Sequence, residues 1–123
     1  MGKSIDEYDF QKGEILLFDK ELDWTSFDLV RKLRNFLTRR TGVKKLKVGH
    51  AGTLDPKATG LMIVCTGKKT KNIDLIQAKE KEYVATLKLG ATTPSFDLET
   101  GETDFFPTDH ITPAILETAL KSF

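Results

Sequence analysis

The sequence predicts one small domain of mixed helices and strands, in an α/β or α+β arrangement with a mixed sheet rather than a doubly wound one. Its 123 residues fit a single small domain. Its composition, 39% hydrophobic and 30% charged, is that of a globular protein rather than a disordered one. Helical and strand patterns alternate along the chain with no internal repeat, and the strand spacing is too irregular for successive βαβ units.

The first twelve residues are polar, and we expect residues 1–12 to form a flexible N-terminal arm. The folded portion is therefore expected to cover residues 13–123. It opens with a short, mostly apolar run, residues 13–19, which has strand character.

A helix is predicted to begin near Thr25 and to end near residue 40. Thr25 and Asp28 have the spacing of a capping box, and Trp24 and Leu29 have that of a hydrophobic staple. Gly42 is placed to stop the helix. The apolar positions that recur at helical spacing are Val30, Leu33, Phe36 and Leu37.

The middle of the chain is rich in loops. Residues 44–60 contain three glycines and a proline, which predicts irregular structure. The apolar run 61–65 is a candidate for a buried strand, and a helix is expected over residues 68–77.

The last third of the chain is predicted to hold one strand and one helix. Residues 83–89 alternate between apolar and polar positions, which predicts a half-buried strand. Residues 91–110 are polar and predict an extended excursion. Thr112 followed by Pro113 is a typical helix start.

The net charge of +1 hides a very uneven distribution. Between residues 29 and 73 there are twelve basic residues and a single acidic one, Asp55. A basic block of this size favours a polyanionic partner. A solvated helix face followed by a solvated loop is an equally open interpretation of the charge alone.

Several other classes of protein are disfavoured. A single cysteine allows no internal disulfide and fits the reducing cytoplasm, where we expect the protein to reside. No apolar run approaches the roughly 20 residues that span a bilayer, and the polar N-terminus argues against a signal peptide. Two histidines and one cysteine, none suitably clustered, indicate no zinc site.

The loop around Asp55 is built to display a carboxylate. Three glycines within twelve residues give the backbone freedom, while Pro56 pushes Asp55 towards an extended conformation. An ordinary Asp-Pro turn is the alternative interpretation. A single carboxylate in a basic, phosphate-binding setting would suit nucleophilic attack on a nucleotide.

Four segments resemble motifs of the tRNA pseudouridine synthase B family, and they occur in the family's order. Residues 49–60, GHAGTLDPKATG, resemble the long motif around the family's catalytic aspartate. Residues 81–83, KEY, resemble its K-x-Y motif. The pairs Asp19-Lys20 and Thr25-Ser26 resemble its N-terminal D-K-P-x-G-x-T-S segment, and residues 95–99 resemble its acidic turn.

The resemblance implies a largely antiparallel mixed sheet with flanking helices, of the pseudouridine synthase type. It implies an enzyme that isomerises a uridine in the T-arm stem-loop of tRNA to pseudouridine, with no metal or organic cofactor and no membrane. The full-length protein is expected to be a monomer. Two alternatives stay open: a guide-RNA-dependent pseudouridine synthase subunit, which resembles the same motifs, and a basic RNA-binding module without catalysis.

The resemblance also assigns roles to particular residues. Asp55 would be the nucleophile, Tyr83 would stack on the target base, and His50 would lie beside the flipped nucleotide. Lys20 would support the active-site loop. The basic residues expected to contact the RNA backbone are Arg39, Arg40, Lys44, Lys45, Lys47, Lys68 and Lys69.

Two departures from the family pattern stand in the N-terminal segment. Glu21 occupies the family's proline position, and Asp23 occupies its glycine position.

The family also places an essential arginine in the second half of its catalytic domain. We therefore expect this chain to be the N-terminal portion of an incomplete catalytic domain, inactive alone.

Overall fold

The computed structural model describes residues 2–123, so Met1, part of the predicted arm, lies outside the described residues. The chain divides into two compact units, residues 1–81 and residues 82–123, and each is described by itself. The first unit contains β1 (Ile15–Lys20), α1 (Ser26–Thr41), β2 (Val48–His50), β3 (Gly60–Thr66) and α2 (Ile73–Gln77). The second contains β4 (Ala91–Thr92), β5 (Asp104–Phe105) and α3 (Pro113–Leu120).

The sheet of the first unit has three antiparallel strands in the order β1-β3-β2. Strand β3 therefore lies in the centre. Ile15 faces Cys65 and Lys20 faces Gly60 across the β1–β3 ladder, while His50 faces Val64 across the β2–β3 ladder. The predicted combination of helices with antiparallel strands is confirmed.

The hydrophobic core lies on one face of this sheet, beneath α1. Alternate residues of β3, Met62 and Val64, are fully buried, and Val30 and Leu37 of α1 pack into the same cluster. Phe36, which the helical pattern included among the apolar positions, remains 51% exposed. The opposite face of the sheet carries exposed apolar side chains: Ile15, Leu17 and Leu61.

Helix α1 begins and ends as its sequence predicts. The Thr25 hydroxyl oxygen accepts a hydrogen bond from the backbone N–H of Asp28 at 3.0 Å, and the hydroxyl donates to the Asp28 carboxylate at 2.6 Å. At the other end, Gly42 adopts a left-handed φ of 72° and donates its N–H to the carbonyl of Thr38. The N-cap makes Ser26 the first residue of the helix.

The segment predicted to be a flexible arm contains an anchor near its end. Phe10 is buried in the core cluster, and the ring of Tyr8 stacks on it with 5.6 Å between centroids. The backbone of the arm packs closely against Gly67, since a Cβ at residue 67 would lie 2.1 Å from the carbonyl oxygen of Gln11. The flexibility of residues 1–12 stays a prediction.

The helix predicted over residues 68–77 is divided in two. Gly67–Asn72 forms a 3-10 helix, and only Ile73–Gln77 is α-helical. Residues 67–72 include no apolar side chain, so burial cannot stabilise an α-helical face there.

The strand predicted over residues 83–89 is wrong for this structure. The segment has no regular secondary structure, and Val84 and Leu87 are exposed. A strand needs a hydrogen-bonded neighbour, and no strand within residues 2–123 pairs with it. The alternating pattern by itself cannot supply that neighbour.

Residues 91–110, predicted as an extended excursion, contain a short antiparallel pair of strands in which Ala91 of β4 faces Phe105 of β5. The final helix follows the sequence more closely. The Thr112 side chain accepts from the N–H of Ile115, and Pro113 occupies the first turn of α3, as predicted. Among residues 2–123, no helix is both long and apolar enough to cross a bilayer.

Candidate active site

Asp55 lies in the loop that joins β2 to β3. Because these strands form an antiparallel hairpin, residues 51–59 project from one end of the sheet. The carbonyl of Asp55 accepts from the N–H of Ala58 at 2.9 Å, which closes a turn with Pro56 at its second position. The Asp55 side chain is exposed, and within residues 2–123 its carboxylate has no hydrogen-bond or ion-pair partner.

A second loop, residues 21–25, projects from the same end of the sheet. Lys20, the last residue of β1 and the one before this loop, faces Gly60, where the Asp55 loop returns to β3. This register brings the two loops side by side. The sequence indicated a resemblance in both segments but not that their backbones would meet.

Ser26, the first residue of α1, contacts the residue that precedes Asp55. Its hydroxyl donates to the carbonyl of Leu54 at 3.0 Å and accepts from the N–H of Leu54 at 2.9 Å. The Ser26 residue is only 3% exposed. The sequence pattern drew attention to the Thr25-Ser26 pair as a motif, but it gave Ser26 no role.

Asp23 contacts the residues that follow Asp55. Its N–H donates to the carbonyl of Pro56 at 2.8 Å, and its carboxylate accepts from the Lys57 ammonium at 2.6 Å. Asp23 has a φ of 64°, in the left-handed region that glycine adopts most easily. This backbone conformation explains a glycine in the family pattern, and aspartate is among the few other residues that tolerate it.

Lys20 is fully buried, with its ammonium directed into the loop that follows it. The ammonium donates to the carbonyls of Glu21 at 2.9 Å and Trp24 at 2.6 Å. A buried ammonium needs such acceptors, so Lys20 and the loop hold each other in place. Lys20 therefore acts on the second loop and, through it, on the loop of Asp55.

His50 is the last residue of β2 and is partly buried. Its Nδ1 lies 2.8 Å from the carbonyl oxygen of Gly52, which fixes the orientation of the ring. Gly49 is in close contact with Ile73, because a Cβ at residue 49 would lie 2.8 Å from the Ile73 side chain. Because His50 ends β2, it lies at the base of the loop that carries Asp55.

Tyr83 lies in the second unit and is 69% exposed. It belongs to the stretch that has no regular secondary structure. Its ring is available to a ligand, and its stacking role stays a prediction.

The seven basic residues predicted to contact an RNA backbone are all exposed. The N–H of Gly67 donates to the carbonyl of Lys47, which brings the backbone of Lys47 beside Lys68 and Lys69. Arg40 is engaged in an ion pair with Asp6 at 2.5 Å. Lys47, Lys68 and Lys69 thus lie together in the first unit, with their side chains at its surface.

Two ionisable groups of the first unit have shifted pKa values. A hydrogen bond from the Thr25 hydroxyl holds the pKa of Asp28 below its usual range, although partial desolvation opposes this. Burial raises the pKa of the Cys65 thiol, and the nearby Lys69 charge opposes that increase. Among residues 2–123, no group of three or more His, Cys, Asp or Glu side chains is arranged to hold a metal ion.

A comparison with models of protein families identifies the family of this chain. The profile described as TruB family pseudouridylate synthase, N-terminal domain, matches residues 39–123, more than half of the chain. The chain belongs to this family. The TruB profile covers the Asp55 loop and Tyr83, and it begins after the segment that holds Lys20, Asp23 and Ser26.

Individual TruB relatives extend the similarity to the N-terminal segment. The tRNA pseudouridine synthase B of Parabacteroides distasonis is 64% identical over 115 residues, which are 94% of this chain and 49% of the relative. That of Phocaeicola vulgatus is 60% identical over 93% of this chain and 48% of the relative. That of Chlorobium luteolum is 57% identical over 92% of this chain and 38% of the relative. The chain spans about half the length, or less, of these curated relatives.

Proposed function

We propose that this chain supplies the nucleophile-bearing part of a tRNA pseudouridine synthase, with Asp55 as the nucleophile. The observation that carries the proposal is the display of Asp55: an exposed carboxylate without a partner among residues 2–123, on a hairpin loop held on both sides of that residue. A fixed backbone lets a nucleophile meet its target without first being ordered.

In the proposed reaction, Asp55 attacks the target nucleotide, the bond between N1 of the uracil and its sugar breaks, and the base reattaches through its C5 carbon. The bond to Asp55 breaks in turn, which restores the free carboxylate, while C5 loses its proton and N1 gains one, so that the product is an isomer of the substrate. Attack on the base and attack on the anomeric carbon are both compatible with an exposed carboxylate. Tyr83 stacks on the flipped base and assists in removing the proton from that carbon. His50 lies beside the flipped nucleotide, supported by its contact with the Gly52 carbonyl.

The proposed substrate is the T-arm stem-loop of tRNA, and the proposed compartment is the cytoplasm. Support for tRNA comes from the relatives, which carry the name tRNA pseudouridine synthase B. That name also favours a tRNA-directed enzyme over a guide-RNA-dependent subunit. The exposed lysines beside Gly67 provide positive charge for RNA phosphates.

Activity is best tested in a chimera, because the relatives are about twice as long as this chain. Residues 1–123 replace the matching half of the Parabacteroides distasonis relative, and pseudouridine formation in tRNA is measured. We expect the chimera to be active and Asp55→Asn to abolish product while retaining tRNA binding. The matched control is Asp109→Asn, an exposed aspartate of the second unit, which should retain full activity.

The alternative from another class, an RNA-binding module without catalysis, is favoured only by the basic stretch. It predicts tRNA binding by an inactive wild-type chimera. Product formation that persists in Asp55→Asn would remove Asp55 as the nucleophile.

A further inference from the structure

The two backbone neighbours of Asp55 are both tied to the segment between β1 and α1. Leu54, on one side, is bound by the hydroxyl of Ser26. Pro56, on the other side, is bound by the backbone N–H of Asp23. The placement of Asp55 therefore depends on a segment more than 25 residues earlier in the chain.

Ser26 makes the only side-chain contribution to these backbone bonds among residues 2–123. Its single O–H donates to the Leu54 carbonyl, and its oxygen accepts the Leu54 N–H. One side chain thus satisfies both polar backbone groups of Leu54. Since the side chain is nearly inaccessible, water cannot easily replace it when it is removed.

Helix capping does not account for this hydroxyl. The N-cap of α1 is Thr25, whose side chain accepts the Asp28 N–H. Ser26 follows as the first helical residue, and its hydroxyl turns away from the helix backbone to Leu54. The contact therefore serves the Asp55 loop rather than the helix.

We infer that Ser26 is a positioning residue for the proposed reaction, acting on Asp55 through the backbone of Leu54. This inference rests on the proposed function for its catalytic consequence but not for its structural one. The Ser26 hydroxyl fixes the direction in which the loop presents the carboxylate. Loss of the hydroxyl frees the backbone immediately before Asp55.

The structural consequence is tested in the 123-residue chain by amide hydrogen exchange. We compare Ser26→Ala with Thr66→Val, a matched control that also removes a buried hydroxyl accepting a backbone N–H, here that of Glu14 at 3.0 Å. Ser26→Ala should lose protection at the Leu54 amide, whereas Thr66→Val should lose it at the Glu14 amide. Retained protection of Leu54 in Ser26→Ala would overturn the inference.

The catalytic consequence is tested in the chimera. Ser26→Ala should lower kcat roughly 10- to 100-fold, the scale expected for a misplaced catalytic group, with KM for tRNA unchanged. Thr66→Val should leave kcat near that of the wild type. Equal losses of kcat in the two variants would show a merely structural role and overturn the inference.

Ser26→Cys keeps the proposal testable if Ser26→Ala does not fold. It keeps a polar hydrogen at the same position of the side chain and replaces the hydroxyl with a somewhat larger thiol, which is a weaker hydrogen-bonding group. Its kcat and Leu54 protection should fall between those of the wild type and full loss, and wild-type values for both would contradict the inference. A wild-type chimera that makes no pseudouridine would count against the proposed function alone, because the exchange experiment decides the contact independently.

Discussion

The backbone N–H of Asp23 donates to the carbonyl oxygen of Pro56 at 2.8 Å, and the two residues belong to loops that lie 33 residues apart in sequence. Asp23 makes this bond with a left-handed φ of 64°. A conformational preference at one residue is thereby coupled to the loop that presents Asp55.

The cost of that conformation can be measured by comparing Asp23→Val with Asp23→Gly. Both variants lose the carboxylate that contacts Lys57, so their difference isolates the backbone. A β-branched residue at positive φ should make Asp23→Val less stable by about 1–3 kcal/mol. Urea denaturation gives the free energies of unfolding, and equal stability of the two variants would contradict the role assigned to φ.

The cap of α1 should make stability depend on pH on the acidic side. Because the Thr25 hydroxyl lowers the pKa of Asp28 in the folded state, the ionised carboxylate favours folding. This contribution is present at neutral pH and is lost as the pH falls through the folded pKa of Asp28. We expect Asp28→Asn to reduce the loss of unfolding free energy between neutral and acidic pH. If the free energy of unfolding of Asp28→Asn fell with acidification as steeply as that of the wild type, the expectation would be contradicted.

The same cap can be removed directly. Thr25→Ala should lower the free energy of unfolding by about 1 kcal/mol, the usual contribution of an N-cap hydroxyl. Thr25→Ser retains the acceptor and should restore most of that stability. Thermal denaturation of the two variants provides the measurement, and equal losses would show that the threonine methyl group, not the hydroxyl, stabilises the helix start.

Cys65 should be unreactive in the folded protein. Its side chain is fully buried and its thiol pKa is raised, so little exposed thiolate forms at neutral pH. A colorimetric thiol reagent should modify the native chain slowly and the urea-unfolded chain at once. Rapid, complete modification under native conditions would show that β3 opens far more readily than its central position indicates.

RNA binding through the lysines beside Gly67 should depend on salt. Lys68→Ala and Lys69→Ala should each weaken tRNA binding and lower the slope of log affinity against log salt by about 0.7–0.9 for each phosphate that is no longer neutralised. The control is Lys88→Ala, an exposed lysine outside the basic stretch that pairs with Glu102. Binding curves at several salt concentrations would contradict the assignment if all three variants gave the same slope.

Local signals in the sequence were sufficient for some elements. The capping box at Thr25 and the glycine at residue 42 predicted α1 to within about a residue at its ends, because caps are written in neighbouring positions. The strand β3 was also predicted, because its signal is a run of consecutive apolar residues. The alternation of apolar and polar residues over 83–89 gave a wrong strand prediction. Strand pairing involves two segments, whereas the pattern describes only one of them.

The candidate site was predictable only in part. The Asp55 loop could be singled out from its glycines, its proline and its isolated charge. The bonds that hold it could not, because the contact between Ser26 and Leu54 depends on a strand register that joins distant segments. Asp23 gave a hint: an aspartate at a glycine position is consistent with a left-handed conformation.

The order of strands in the sheet also has a consequence for the time course of folding. Strands β2 and β3 form a hairpin, so the loop of Asp55 can close through local contacts. Strand β1 pairs with β3 only across separations of 40 to 50 residues, from Lys20 with Gly60 to Ile15 with Cys65. Such long closures are slow, and we expect the loop of Asp55 to form before the segment that contains Asp23 and Ser26 docks against it. During refolding, the hydrogen bonds from Ser26 and Asp23 to the Asp55 loop should therefore form later than the hairpin itself.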